Sequence, residues 1–249
     1  MFSRTRSLAA LALAAGLGMM VGCSDSPQDV VAPQTSARLM AVEVTPDADA
    51  VNVFVDGALF AGGVGFPNNT GYLPVGEGTR VVKVSQVTTP SNVLYENTLH
   101  FDVNSSSTVW ATDDSLETIV TPDDLRAPTE GKAHVRFVNF SRAMPSAQVW
   151  QIGVPIAGAL PPRDTSFVVF PNVVYRHAAL FTAFDAGTDT PADTTSLRLE
   201  VRSVGVDPEI VARVPAIALK RGKIYTVWIG SKMFDDGGAE VSPQVILNN

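Results

Sequence analysis

The chain has 249 residues, 18 Lys and Arg against 25 Asp and Glu, a formal net charge of −7, and one cysteine. The acidic balance excludes a nucleic-acid partner and a polybasic grip on anionic lipid. A single cysteine excludes an internal disulfide, so any folded body must be stable on its core alone.

Arg4 and Arg6 precede Leu8 to Val21, an uncharged run of about 14 residues rich in Ala and Leu. Such a run suits the apolar region of a signal peptide and falls short of the roughly 20 residues that span a bilayer. It ends on Met20-Val21-Gly22-Cys23, which resembles the lipobox of bacterial lipoproteins, with Met20 where Leu is usual. That resemblance implies a lipoprotein signal peptide over residues 1–22, cleavage before Cys23 and acyl chains, palmitate among them, attached at Cys23. Two chains anchor a protein stably, at roughly 0.8 kcal/mol per buried CH₂. Ser24 stands where inner-membrane lipoproteins often carry Asp, so the resemblance implies the outer membrane, facing the periplasm or the exterior. Without Arg4 and Arg6 the charge falls near −9. Residues 23–36 hold Asp25, Pro27, Asp29 and Pro33 with no amphipathic period, and read as the lipidated Cys and a flexible tether.

The body repeats itself. Ala37-Arg38-Leu39-Met40-Ala41-Val42 aligns without a gap to Ala133-His134-Val135-Arg136-Phe137-Val138, 96 residues on, and the same offset brings Val51-Asn52-Val53-Phe54-Val55 onto Ala147-Gln148-Val149-Trp150-Gln151. Thr108-Val109-Trp110 recurs as Thr226-Val227-Trp228 at an offset of 118, so the second copy carries about 22 extra residues. Asp185 to Thr195 and Val204 to Ile210, rich in Gly, Pro, Asp or Thr, read as the longer loops. The repeat divides the body into residues 37–130 and 131–249.

Inside each copy the apolar period is two. Val51, Val53 and Val55 alternate with Asn52 and Phe54, and short β-branched or aromatic runs follow at Arg80 to Val84, Leu197 to Val201 and Ile224 to Trp228. Asp56-Gly57 between two such runs predicts a tight hairpin, a requirement that Gly153 repeats in the second copy. Gly62-Gly63-Val64-Gly65 reads as a glycine-bearing strand edge or bulge rather than a dinucleotide loop, because Pro67-Asn68-Asn69 follows instead of a helix. About seven strand candidates fall in each copy, with Leu116 to Val120 and Val245 to Leu247 closing them. The expected fold class is all-β, two tandem immunoglobulin-like β-sandwiches after the signal peptide and tether.

Several of these segments resemble domain-of-unknown-function family 4397. They are Val44-Thr45-Pro46-Asp47-Ala48, the hairpin Val51-Asn52-Val53-Phe54-Val55-Asp56-Gly57, Tyr72-Leu73-Pro74-Val75-Gly76, and the strand Gly222-Lys223-Ile224-Tyr225-Thr226-Val227. Gly131-Lys132-Ala133-His134-Val135 looks like the entry into a second copy. Arg142-Ala143-Met144-Pro145 and Ser105-Ser106-Ser107 depart from the family pattern. The resemblance implies extracytoplasmic Ig-like modules of bacterial envelopes and no catalytic residues.

The residues themselves offer little chemistry. His100, His134 and His177 lack zinc spacing and read as strand-face residues. No nucleophile elbow occurs. Asp113-Asp114, Asp123-Asp124 and Asp235-Asp236 read as solvated turns, with calcium at Asp235-Asp236-Gly237-Gly238 as the alternative for the last. Trp110 and Trp228, at equivalent positions, are expected to pack inside their own sandwiches, and Trp150 likewise. No cofactor, metal or catalytic residue is assigned. The expected role is non-catalytic: a lipid-anchored module for binding, adhesion or scaffolding, whose partner is an envelope protein or polysaccharide. The alternatives are a carbohydrate-active or ester hydrolase with a site between the domains, tested at Asp185, Asp189 and Asp193, or a purely structural spacer.

Overall fold

A computed structural model describes residues 36–113, 117–155, 164–187 and 195–249. The signal peptide, Cys23, nearly all of the tether, Asp114, Leu116, Asp189 and Asp193 lie outside the described residues. Residues Thr35–Asn249 form one compact unit. It is all-β, as the alternating runs predict, with no helix among the described residues.

The first copy contributes β1 (Ala37–Glu43), β2 (Val51–Val55), β3 (Ala58–Val64), β4 (Leu73–Val75), β5 (Gly78–Gln86), β6 (Val93–Phe101), β7 (Ser106–Ala111) and β8 (Ile119–Pro122). They make two sheets, β4-β1-β7-β8 and β3-β2-β5-β6. Leu39, Val53, Val84, Leu94 and Val109 fill the space between them. Asp56 and Gly57 take φ of 49° and 79° and close the β2–β3 hairpin, as expected of that pair. Gly63 takes φ of 69° in β3, an edge strand whose pairing with β2 shifts register twice. The glycine run is therefore a bulged edge.

The second copy contributes β9 (Lys132–Phe140), β10 (Ser146–Pro155), β11 (Asp164–Val174), β12 (His177–Ala178), β13 (Thr182–Asp185), β14 (Thr195–Leu197), β15 (Leu199–Ser203), β16 (Ile210–Arg213), β17 (Ile217–Leu219), β18 (Ile224–Met233) and β19 (Ala239–Leu247). One sheet runs β12-β9-β18-β19 with β13 also on β9, and the other β11-β10-β15-β16, while β14 and β17 pair separately. Phe137, Val149, Phe170, Leu199 and Val227 lie between them. Part of the predicted extra loop is thus sheet: Asp185 ends β13 and Thr195 opens β14. Gly153 does not turn a hairpin. It sits at φ 65° in a bulge of β10, which continues to Pro155 because Gln151 and Val154 slip against β11.

The repeat is preserved to the residue. β1 runs parallel to β7 with Met40 beside Thr108 and Val42 beside Trp110; β9 runs parallel to β18 with Arg136 beside Thr226 and Val138 beside Trp228. Those pairs are related by the offsets of 96 and 118. A third cluster, Met40, Val42, Val44 and Trp110 with Val138, Phe140, Trp228 and Ile246, joins the β1 sheet to the β9 sheet. The central strands of these two sheets are therefore buried on both faces, and eight consecutive residues of β18 from Ile224 are buried.

Candidate functional site

Trp110 and Trp228 are fully buried, with ring centroids 6.4 Å apart at an interplanar angle of 65°. They pack against one another across the junction, not each within its own sandwich as expected. Their outward position on sheets that cover each other makes them one core. Trp110 Nε1 donates to Thr121 Oγ1 at 2.9 Å. Strand register puts Ile246 where Thr121 would stand in the second copy, and Trp228 Nε1 accordingly makes no hydrogen bond. Trp150 differs from both. It is partly exposed, with the Arg202 guanidinium 4.6 Å from its ring, just as Lys83 Nζ lies 5.2 Å from the Phe54 ring in the first copy.

Beside the tryptophans lies a closed ring of polar contacts. Arg136 Nη1 meets Asp123 Oδ1 at 2.7 Å, and its Nε donates to Thr226 Oγ1 at 3.0 Å. Thr226 donates to Asn248 Oδ1 at 2.8 Å, and Asn248 Nδ2 donates to the Tyr72 hydroxyl at 3.1 Å. Tyr72 returns the chain to Asp123 Oδ2 at 2.7 Å, where Thr108 Oγ1 also donates at 2.5 Å. The Arg136 and Asp123 side chains are 2% and 0% exposed, so the solvated-turn reading of Asp123 is wrong. With Thr121 Oγ1 at 3.5 Å, Asp123 is held by four polar side chains of the two copies, which is how a buried charge is tolerated. Burial and the neighbouring Asp123 push the Tyr72 hydroxyl up.

A groove of about 600 Å3 opens over this ring, between the end of β8 and the segment from Arg176 to Phe181. Arg136 reaches it from β9, Arg126 from the stretch after β8, and Arg176 from the corner between β11 and β12. Arg176 sits in the left-handed region at φ 61°, and its N–H donates to Asn139 O at 2.7 Å. The preceding Tyr175 donates its hydroxyl to Glu117 Oε2 at 2.7 Å, and burial together with that bond raises the phenol to about 12. The corner is thus pinned on both sides. Arg136 Nη2 and Arg176 Nε are buried and make no hydrogen bond. Arg126 is occupied: it bonds Asp124 through Nε at 2.8 Å and Nη2 at 2.5 Å, holding that carboxyl down at about 2. Phe181 packs under Arg136, 4.7 Å from the guanidinium, and Leu180 beside it is 88% exposed.

The other sequence candidates are scattered. Asp185 pairs with Lys132 at 2.6 Å, and Asp113 with Arg142 at 2.9 Å. Asp235 and Asp236 sit in an exposed turn. Among the described residues, no group of three His, Cys, Asp or Glu is placed to hold a metal ion. His100 is exposed on β6 and His134 lies in β9, while His177 lines the groove. Sequence reasoning missed Arg126, Arg136, Arg176 and Phe181. One signal was present: the repeat alignment places Arg136 against Met40, a charge where its equivalent is apolar.

No curated protein matches the chain. Among solved structures it is similar to a "putative cell adhesion protein" from Bacteroides ovatus ATCC 8483 at 12% identity and TM-score 0.26, covering 84% of this chain and 96% of that one. A family 26 carbohydrate-binding module from Eubacterium rectale Amy13K, solved with maltoheptaose, is similar at 9% identity and TM-score 0.24, again over 84% and 96%. A second "putative cell adhesion protein", from Bacteroides uniformis ATCC 8492, is similar at 13% identity and TM-score 0.24 over 87% and 99%. Residues 37–150, the whole first sandwich with β9 and β10 as far as Trp150, match the family described as Domain of unknown function (DUF4397), which bears out the resemblance read from the hairpin and turn motifs.

Proposed function

We propose that the protein is a non-catalytic envelope lipoprotein, anchored through Cys23 in a bacterial outer membrane, that binds an envelope protein or polysaccharide in the groove between its sandwiches. The observation that carries the reading is the groove's unsatisfied cationic lining. Arg136 Nη2 and Arg176 Nε are buried without hydrogen bonds to the protein at the edge of an open cleft, and such a donor costs stability unless water or a ligand meets it. The anchor rests on the run from Arg4 to Cys23, which supplies a positive leader, a short apolar stretch and a small residue before the thiol. A membrane-tethered body needs no high affinity of its own, since tethering raises the effective concentration of sites facing one surface. Two measurements test the proposal. Metabolic palmitate labelling should depend on Cys23, and Cys23→Ser should release the protein from membranes. The full chain in detergent should capture a protein or glycan from envelope extracts, and Arg176→Ala should reduce that capture. Equal labelling of Cys23→Ser, or capture of nothing, overturns the corresponding half.

A further inference from the structure

We infer that the groove takes a monoanionic group, the carboxylate or sulfate of an acidic saccharide, with Arg176 as the cation that meets it. The inference rests on the groove being the binding site. Charge decides the ligand's sign. Three guanidinium groups line the groove, and two carboxylates answer them: Asp123 pairs with Arg136 at 2.7 Å and Asp124 with Arg126 at 2.5 Å. Arg176 has no carboxylate partner among the described residues, although the chain as a whole is acidic at −7. One uncompensated positive charge matches a monoanion better than a phosphomonoester, which carries about −1.5 to −2 at neutral pH. A guanidinium fork can bond two oxygens of one group at once, those of a planar carboxylate or two of a tetrahedral sulfate.

Shape decides the rest. An extended peptide binds by adding a strand to an open edge. Here β12 is two residues long and β8 ends on Pro122, which has no N–H to donate. The groove therefore reads its ligand with side chains. Leu180 and Phe181 form an apolar wall next to the cation, fitting a ring with C–H groups on its face and a charged substituent at its edge.

Calorimetric titration of the full chain in detergent micelles tests this. The probes are oligosaccharides bearing glucuronate, galacturonate or sulfate, together with the methyl esters of the same uronates. At least one acidic probe should bind. Its affinity should fall about tenfold or more on esterification and on Arg176→Ala, a loss of about 1.4 kcal/mol. Arg176→Lys should keep part of it, and added salt should weaken it. The melting temperature of Arg176→Ala should stay near that of the parent, because the side chain makes no hydrogen bond or ion pair among the described residues. If acids and esters bind alike, insensitive to Arg176→Ala but lost in Phe181→Ala, the anion assignment is overturned and the groove stands as a binding site. If no acidic probe binds, the inference is overturned; if envelope extracts also yield nothing, the reading beneath it goes too. Tight, Arg176-dependent binding of a polyglutamate peptide in place of the sugars assigns the groove to an acidic protein and overturns the saccharide.

Discussion

Arg136 holds the place in the second sandwich that Met40 holds in the first, and Asn248 the place that Asp123 holds. One copy thus carries an apolar residue with a carboxylate, the other a guanidinium with an amide, and the ion pair forms only between copies. Arg136→Met should leave Asp123 buried without its cation and cost about 3–5 kcal/mol. Adding Asp123→Asn should recover most of that loss, because the first copy then matches the second. Urea unfolding of the single and double variants measures it; a double variant no more stable than Arg136→Met sinks the account. Glu43 is another buried ionisable residue, and unlike the buried Glu200, which pairs with Arg202 and Arg213, it has no cation beside it among the described residues. Its side chain lies in fully buried surroundings at the end of β1, Oε1 accepts from the Thr45 N–H at 2.9 Å, and Oε2 has no partner. Burial, reinforced by Asp113, pushes the carboxyl from 4.5 up to about 8. The folded protein therefore keeps a proton that the unfolded chain gives up. Stability from this group is fully present below pH 4.5 and is lost as the pH climbs through about 8. Melting temperatures across that window should decline, and Glu43→Gln should flatten the decline; an unchanged slope in Glu43→Gln refutes it.

Strand β18 shows the same logic in an element. It is flanked by β9 and β19 within its sheet, points Val227 and Ile229 toward Val149 and Leu199 of the facing sheet on one side, and carries Trp228 and Gly230 on the other. A Cβ at Gly230 would fall 2.4 Å from Val44 O and 3.3 Å from the Trp228 ring, so the end of β1 closes on β18 only because that side chain is absent. Gly230→Ala should overpack the contact and cost about 1–3 kcal/mol. Gly205→Ala is the matched control: its Cβ would meet nothing within 4 Å, and it should be neutral or slightly stabilising. Equal melting temperatures for the two variants would show that the β1 end yields freely. Period-two alternation marked β2 and β5, which cover one core only. It fades in β18 and β9, because strands buried on both faces have no solvent side to write in polar residues.

Across the whole molecule, the sequence by itself determined the all-β class, the internal repeat, the Asp56-Gly57 hairpin and the bulged glycine edge. Each of these is set by neighbours in the chain: period, turn chemistry and positive φ act over a few residues. Only the tertiary structure decided that the two sandwiches share a third core, that Trp110 meets Trp228, and that Asp123 is buried beside Arg136. Those facts depend on which faces of two sheets meet, and alternation along one strand is silent about what lies beyond either face. The groove belongs to the same class. Arg126, Arg136 and Arg176 come from three separated segments, and no spacing in the chain brings them to one cleft. The repeat offers the one local trace, the exchange of Met40 for Arg136, and its meaning appears only once Asp123 of the other copy stands 2.7 Å away.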